Sequence, residues 1–356
     1  MIGNSKTRER EVWIDAVKGL GILLMILGHM QIGPVIRNFI YSFHMPMFII
    51  ISGYLFRGGG DFINYCKRKV KGLLFPYLLM NIGALFTRWV FLKMTGCFTW
   101  EGAGGIAKMQ LLIMLGGNSF YKGMLTFIES VGPMWFVPFL FCINIVYYLV
   151  SKIKWKSETF EMIGETILFI FMGYVGLYIG TQIAFLPWSI DAAMVGLICY
   201  HMGVLIKKLQ LFEKKYTPVI WIVCGLVWLL LYQKLGGVAF ATREYTYYPL
   251  CIIIAIAASF FIMYIVKVAE YRFKMKKALK PFAWVGKNAI WILIIHAIEF
   301  TYIDWLAVLQ EKCTNRFVAF VIYLFVILVC LFVLKFIKWL VFLVAQKIKI
   351  VYNSIW

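Results

Sequence analysis

The chain has 356 residues, 63% of them hydrophobic, 18% aromatic and only 15% charged, a balance that no soluble domain of this size can hide from water. Its net charge of +20 comes from Lys and Arg set in short clusters between apolar stretches, the pattern that orients membrane proteins and not the basic face that nucleic acid needs. Composition thus excludes a soluble enzyme and a nucleic-acid binder, and leaves an all-α polytopic membrane protein.

Residues 1–11 are polar and basic, with no small-residue cleavage site after them, and read as a retained cytoplasmic tail. Apolar stretches of about 20 residues, long enough to cross a bilayer, follow at 12–30, 37–56, 71–93, 133–150, 163–181, 190–206, 218–234, 249–266, 284–302 and 317–344. The last exceeds one crossing and predicts a tilt, a kink or a surface run after Lys335. With the N-terminus inside, the inner connections hold 25 of the 36 Lys and Arg and the outer ones 8, an asymmetry that puts both termini in the cytoplasm. No repeat or low-complexity linker interrupts the chain, so residues 1–356 read as one transmembrane domain about ten helices strong. The one long connection, 94–132, falls outside and is Gly-rich around "IAKMQLLIMLG". That stretch is too short to span and suits a re-entrant or interfacial helix. The eight cysteines show no metal-site spacing and fall mostly in apolar runs. Only Cys97 and Cys313 lie in segments where a disulfide is conceivable, and sequence supplies no geometry for one.

Ionisable side chains inside spans are costly, so each is a functional candidate by default. All four histidines, His29, His44, His201 and His296, lie within or at the edge of spans. In the first span Lys18 and His29 are eleven residues apart, which is three turns plus about 20°, so both share one face with about 16 Å between them. Asp15 sits one turn before Lys18, where it can neutralise the ammonium; a plain packing role for that pair, with His29 at the interface, is the competing reading. His44 falls at similar depth on the second span, two residues before Pro46, a proline that loosens the helical ladder. Ser52 and Gly53 then allow close helix approach.

Lys67, Arg68, Lys69 and Lys71 precede the third span. They are a topology signal, and also suit the phosphates of a coenzyme or nucleotide at a cytoplasmic mouth. Trp135 and Pro138 open the fourth span as an interfacial anchor and a kink. In the ninth, Asn288 is placed to cap the helix start, and His296 and Glu299 are a turn apart, spaced to pair. His201 has no evident partner and reads as structural.

The pieces "IDAVKGLGILLMILGH", "FHMPMFIIISGYLF", the basic run before "PYL", "MWFVPFLF" and "GKNAIWILIIH" resemble the membrane-bound acyltransferase-3 family, in particular its sugar O-acetyltransferase branch of the fucose 4-O-acetylase type. They occur in the family's order over most of the chain. The family's first span resembles Arg, ten residues, then His. His29 matches the histidine, while the basic position is Lys18, which keeps the charge and loses the guanidinium fork. Of the family's paired arginines before the third span, the spacing survives in Lys67 and Lys71, whereas Arg68 is followed by Gly72.

The resemblance implies transfer of an acyl group, usually acetyl, from cytoplasmic acyl-CoA to a hydroxyl of an extracytoplasmic or lipid-linked carbohydrate, in a bacterial cytoplasmic membrane and without a metal. His29 would be the general base, His44 its orienting or proton-sharing partner, and Lys18 a stabiliser of charge. Lys67, Arg68 and Lys71 would hold the coenzyme, with Asp15, Trp135, Asn288, His296 and Glu299 in support. The implied partners are acetyl-CoA as co-substrate, the carbohydrate and the lipid bilayer, with no nucleic acid; acceptor identity and oligomeric state stay open. A transporter with a buried histidine proton relay is the alternative from another class.

Overall fold

The computed structural model describes residues 11–97, 99–116, 132–302 and 305–355. Residues 1–10 of the basic tail and 117–131 of the long connection lie outside these. The chain begins its described part with α1 (Val12–Gly28), then α2 (Pro34–Tyr41) and α3 (His44–Tyr54). The break between α2 and α3 has a covalent cause. Pro46 brings no N–H to the Ser42 carbonyl four residues back, and its ring crowds that oxygen.

Next come α4 (Phe62–Lys69), a π-helical turn at Val70–Leu74, α5 (Phe75–Met94) and α6 (Trp100–Gly116). The Asp61 carboxylate starts α4 by accepting the Asn64 N–H at 3.1 Å, and the Asn64 bonds hold its carboxyl below the usual range. The apolar stretch of the long connection is α6, which lies against α5 through a 2.8 Å bond from Gln110 Nε2 to Asn81 Oδ1. A 3-10 turn at Gly132–Trp135 leads into α7 (Phe136–Val150). Pro138 falls in the first turn of α7, where a missing N–H has no helical acceptor to abandon.

The remaining elements are α8 (Glu158–Tyr178), α9 (Ile190–Lys208), α10 (Thr217–Leu235), β1 (Val238–Ala239), β2 (Glu244–Tyr245), α11 (Leu250–Tyr271), α12 (Lys276–Lys287), α13 (Ala289–Tyr302), α14 (Trp305–Lys312) and α15 (Arg316–Ile355). The strands form one short antiparallel ribbon, Val238 opposite Tyr245. Beside it the Arg243 guanidinium forks onto buried Asp191, with Nε 2.7 Å from Oδ2 and Nη2 2.9 Å from Oδ1. The same guanidinium lies 4.1 Å from the Phe185 ring.

Among the described residues, eight helical segments are long and apolar enough to cross a bilayer, and nine when α12 and α13, bent by 57°, count as one crossing. The expected span that is not among these is the first. With 17 residues, α1 is about 26 Å long, short of a hydrocarbon core of about 30 Å. Asn288 stands at the bend, where its backbone carbonyl accepts the Trp291 and Ile292 N–H groups at 2.9 and 3.0 Å at the start of α13. Its side chain turns back to the Trp284 carbonyl at 2.7 Å and so closes α12.

Two backbone contacts set the packing. A Cβ on Gly19 would stand 1.9 Å from the Phe282 carbonyl oxygen, and one on Gly286 1.8 Å from that of Asp15, so α1 and α12 touch backbone to backbone. Gly53 and Gly203 do the same for α3 and α9, each 1.9 Å from a facing carbonyl oxygen, which is the close approach expected at Ser52 and Gly53. Around these contacts the apolar residues form two clusters. One joins the first half of α1 to α3, α7, α9 and α11. The other joins the second half of α1 to α5, α13 and α15. Cys97 and Cys313 are both free.

Candidate active site

The polar face of α1 divides into two neighbourhoods. At its start Lys18 Nζ lies 3.8 Å from Asp15 Oδ1, the pair expected one turn apart. Both line a cavity of about 740 Å³ whose other polar walls include Arg57, Lys207 and Gln210 together with the carboxylates of Glu11 and Glu213. Lys207 Nζ is 5.7 Å from the centre of the Tyr54 ring. Arg57 and Lys207 reach this cavity from the end of α3 and the end of α9, elements that the Gly53 and Gly203 contact holds together. In the sequence they are two more basic residues of the connections expected on the inner side, with nothing to single them out.

The run Lys67, Arg68, Lys71 is not part of that cavity. Lys67 and Lys71 line a separate groove of about 560 Å³ with Phe62, Ile63, Val70 and Phe75. Arg68 instead lies 5.8 Å from the Tyr65 ring centre, with Lys69 at 5.3 Å. Helix α4 and the π turn after it thus fan the four cations onto different faces, which residue spacing alone does not show.

At the other end of α1, His29 closes the helix as its C-cap, with its N–H on the Ile26 carbonyl at 3.1 Å. Its ring is 5.2 Å from that of His296 and 5.0 Å from Phe300, both on α13. Nearby, the Gln31 N–H donates to Gln310 Oε1 on α14 at 2.7 Å. The expected partner was His44, and the structure puts His44 in a different relation. Gly28 packs on Ile40 and Tyr41, and Gly21 on Met47 and Phe48, so His44 lies between these levels, deeper than His29. His44 Nδ1 donates to the Ile40 carbonyl at 2.9 Å, since a carbonyl only accepts. Its ring is 5.0 Å from Tyr41, over which Arg37 stacks at 5.2 Å. His29 remains within electrostatic reach of His44, His296 and Arg37.

His296 is fully buried, and Glu299 nearly so. Their expected pairing is indirect: Nδ1 and Oε2 are 3.9 Å apart, and Tyr323 of α15 stands between them. Tyr323 Oη is 2.7 Å from His296 Nδ1 and donates to Glu299 Oε2. Glu299 Oε1 accepts the Leu306 N–H at 2.9 Å. Tyr323 carries no sequence signal, being one aromatic in a uniformly apolar run. Trp135 is partly buried and packs against both apolar clusters, its ring 5.3 Å from Phe139. His201 does have partners, Tyr147 Oη and Thr166 Oγ1, each at 3.0 Å.

Fold and site together define a multi-pass helical membrane protein with a polar cavity lined by both acidic and basic side chains at one end of its first helix and gathered imidazoles at the other. The family description "Acyltransferase domain", of the acyltransferase-3 type, matches residues 11–336, nearly the whole chain. The chain belongs to this family of acyltransferases. It is similar to the nodulation protein NolL of Sinorhizobium fredii, 36% identical over 83 residues, and to that of Mesorhizobium japonicum, 33% identical over 87 residues. These matches cover 19% and 20% of this chain and 23% of each relative. The chain thus spans about a quarter of the curated relatives it matches. No solved structure matches it.

Proposed function

We propose that the protein is a membrane O-acyltransferase that takes an acetyl group from acetyl-CoA at the Lys18 end and passes it to a carbohydrate hydroxyl at the His29 end. One observation carries this reading: a single helix face links the cavity holding Lys18, Arg57 and Lys207 to the His29, His296 and His44 group about 16 Å further on. The excess of Lys and Arg in the connections on the Lys18 side makes that side cytoplasmic. Counting α1 as a crossing gives ten, with both termini in the cytoplasm.

The coenzyme's phosphates rest on Lys18, Arg57 and Lys207 through charge-assisted hydrogen bonds. Lys67, Arg68 and Lys71 add to the positive field that draws the coenzyme to this face. At the far end His29 takes the proton of the acceptor hydroxyl as that oxygen attacks the thioester carbonyl carbon. The carbon–sulfur bond breaks, and the departing thiolate takes the same proton back from the His29 imidazolium. His44, its Nδ1–H tied to the Ile40 carbonyl, presents its other nitrogen as an acceptor that orients the hydroxyl.

The test is His29→Ala in lipid nanodiscs, with acetyl transfer from labelled acetyl-CoA followed at matched protein. The expected loss is about 10²- to 10⁴-fold in kcat, with acetyl-CoA binding retained; near-normal turnover overturns the assignment. Lys18→Ala and Arg57→Ala should each raise the KM for acetyl-CoA about tenfold, the worth of one charge-assisted bond. No saturable binding of acetyl-CoA to the intact protein would favour a transporter.

A further inference from the structure

The arrangement behind His29 fixes the position of a proton. A tyrosine hydroxyl has one hydrogen, and Tyr323 gives its hydrogen to Glu299 Oε2. Toward His296 it therefore offers only lone pairs, so the hydrogen in the 2.7 Å contact belongs to His296 Nδ1. A neutral imidazole protonated at Nδ1 has its basic lone pair at Nε2. That atom is buried and has no hydrogen-bond partner among the described residues. Buried polar atoms without partners are rare, and each calls for a functional account.

The neighbouring ring is that of His29, with centroids 5.2 Å apart and planes tilted by 50°. The two rings are thus adjacent, with no hydrogen bond yet made to Nε2 among the described residues. Burial orders the four groups. Tyr323 and His296 are fully enclosed and Glu299 nearly so, while His29 is only partly buried. Of the four, His29 is the least enclosed, and the other three stand behind it.

We propose that Glu299, Tyr323 and His296 are positioning residues that hold the Nε2 lone pair of His296 ready to accept one N–H of His29, leaving the other His29 nitrogen basic toward the acceptor hydroxyl. The inference rests on His29 being the general base. When His29 takes the hydroxyl proton, His296 steadies the second N–H of the imidazolium, and the proton returns from His29 to the thiolate. No proton travels along the chain of three, so the balance of the transfer is unchanged. The logic is that of a base held in one tautomer by a buried acceptor.

Glu299→Gln tests the tautomer directly. The glutamine amide can donate to Tyr323 Oη, which turns the tyrosine hydrogen toward His296 Nδ1 and moves the imidazole proton to Nε2. Nitrogen-15 NMR of histidine-labelled full-length protein in nanodiscs, with the His296 signal assigned by its loss in H296Q, should show Nδ1–H in the native protein and Nε2–H in E299Q. The same tautomer in both overturns the proposal.

Kinetics supply a second arm. Tyr323→Phe and His296→Leu should lower kcat about 10²-fold at unchanged KM for acetyl-CoA. His296→Gln, whose carbonyl falls near the Nε2 position, should recover part of that loss. Native kcat in all three, with only reduced thermal stability, overturns the relay and assigns the group to packing. The two failures are distinguishable. An active His29→Ala protein sinks the base assignment, whereas an inactive one alongside normal Y323F and H296L proteins sinks the relay alone.

Discussion

His201 and His296 sit in nearly identical company, each with a tyrosine and a glutamate, and yet they are wired in opposite senses. Around His201, Thr166 gives its hydrogen to the Met162 carbonyl at 2.6 Å and so accepts from Nε2–H at 3.0 Å. Nδ1 is then the acceptor, and Tyr147 donates to it at 3.0 Å, with Glu165 Oε2 3.5 Å away. Both nitrogens are used. Around His296 the proton is on Nδ1, and Nε2 is left open beside His29. Residue types alone do not separate a structural histidine from a reactive one; the number of partners, and the direction in which each hydrogen points, does.

The largest test of that distinction applies it to an ion pair whose members are satisfied by each other and by neighbouring backbone groups. Arg243 and Asp191 are both buried and joined at two points. Arg243→Met leaves an unpaired buried carboxylate and should cost about 3–5 kcal/mol, read as a lowered denaturation midpoint, without touching the kcat of the folded fraction. A collapse of kcat in folded protein would show that satisfied groups at this end also serve the reaction.

The direct contrast comes next. His296→Leu should lose about 10²-fold in kcat with little change in melting temperature. His201→Leu, which removes one hydrogen-bond partner each from Tyr147 and Thr166, should lose about 1–3 kcal/mol of stability and keep native kcat. Equal kinetic losses in the two would erase the distinction.

Gly286→Ala probes the frame that carries both ends of the site. Its new Cβ meets the Asp15 backbone oxygen at 1.8 Å, so α1 must shift. Overpacking of this kind costs about 1–3 kcal/mol. Because α1 bears both Lys18 and His29, KM and kcat should worsen together, unlike in either histidine variant.

The smallest effect lies at the start of α4. The folded Asp61 carboxyl is held below its ordinary value, chiefly by the Asn64 N–H. Its cap therefore operates above the ordinary carboxylate range and is lost as pH falls through that lowered value. Protection of the Asn64 amide, measured relative to its intrinsic exchange rate at each pH, should fall on acidification, and Asp61→Ala should abolish this change in protection.

Much of the architecture was legible in the residues alone. Nine of the ten expected spans coincide with membrane-length helices or the bent pair, because about 20 consecutive apolar residues admit few other solutions in a bilayer. The shared face of Asp15, Lys18 and His29 follows from helical angle, and the Asp15–Lys18 contact at 3.8 Å agrees with it. Pro46 announced the break between α2 and α3 through the N–H it lacks. The family was legible from the same motifs.

Only the tertiary structure decided which helices meet, and so what each polar residue faces. His29 is next to His296, 267 residues away along the chain, with His44 set one level deeper on α3. Tyr323 bridges His296 to Glu299, and Arg57 and Lys207 share a cavity with Lys18 while Lys67 and Lys71 do not. The physical reason is that these helices are apolar nearly all round, so periodicity does not mark the face that packs. That choice is made by backbone contacts at Gly19, Gly53, Gly203 and Gly286, where shape complementarity, which no single stretch of sequence encodes, sets the pairing.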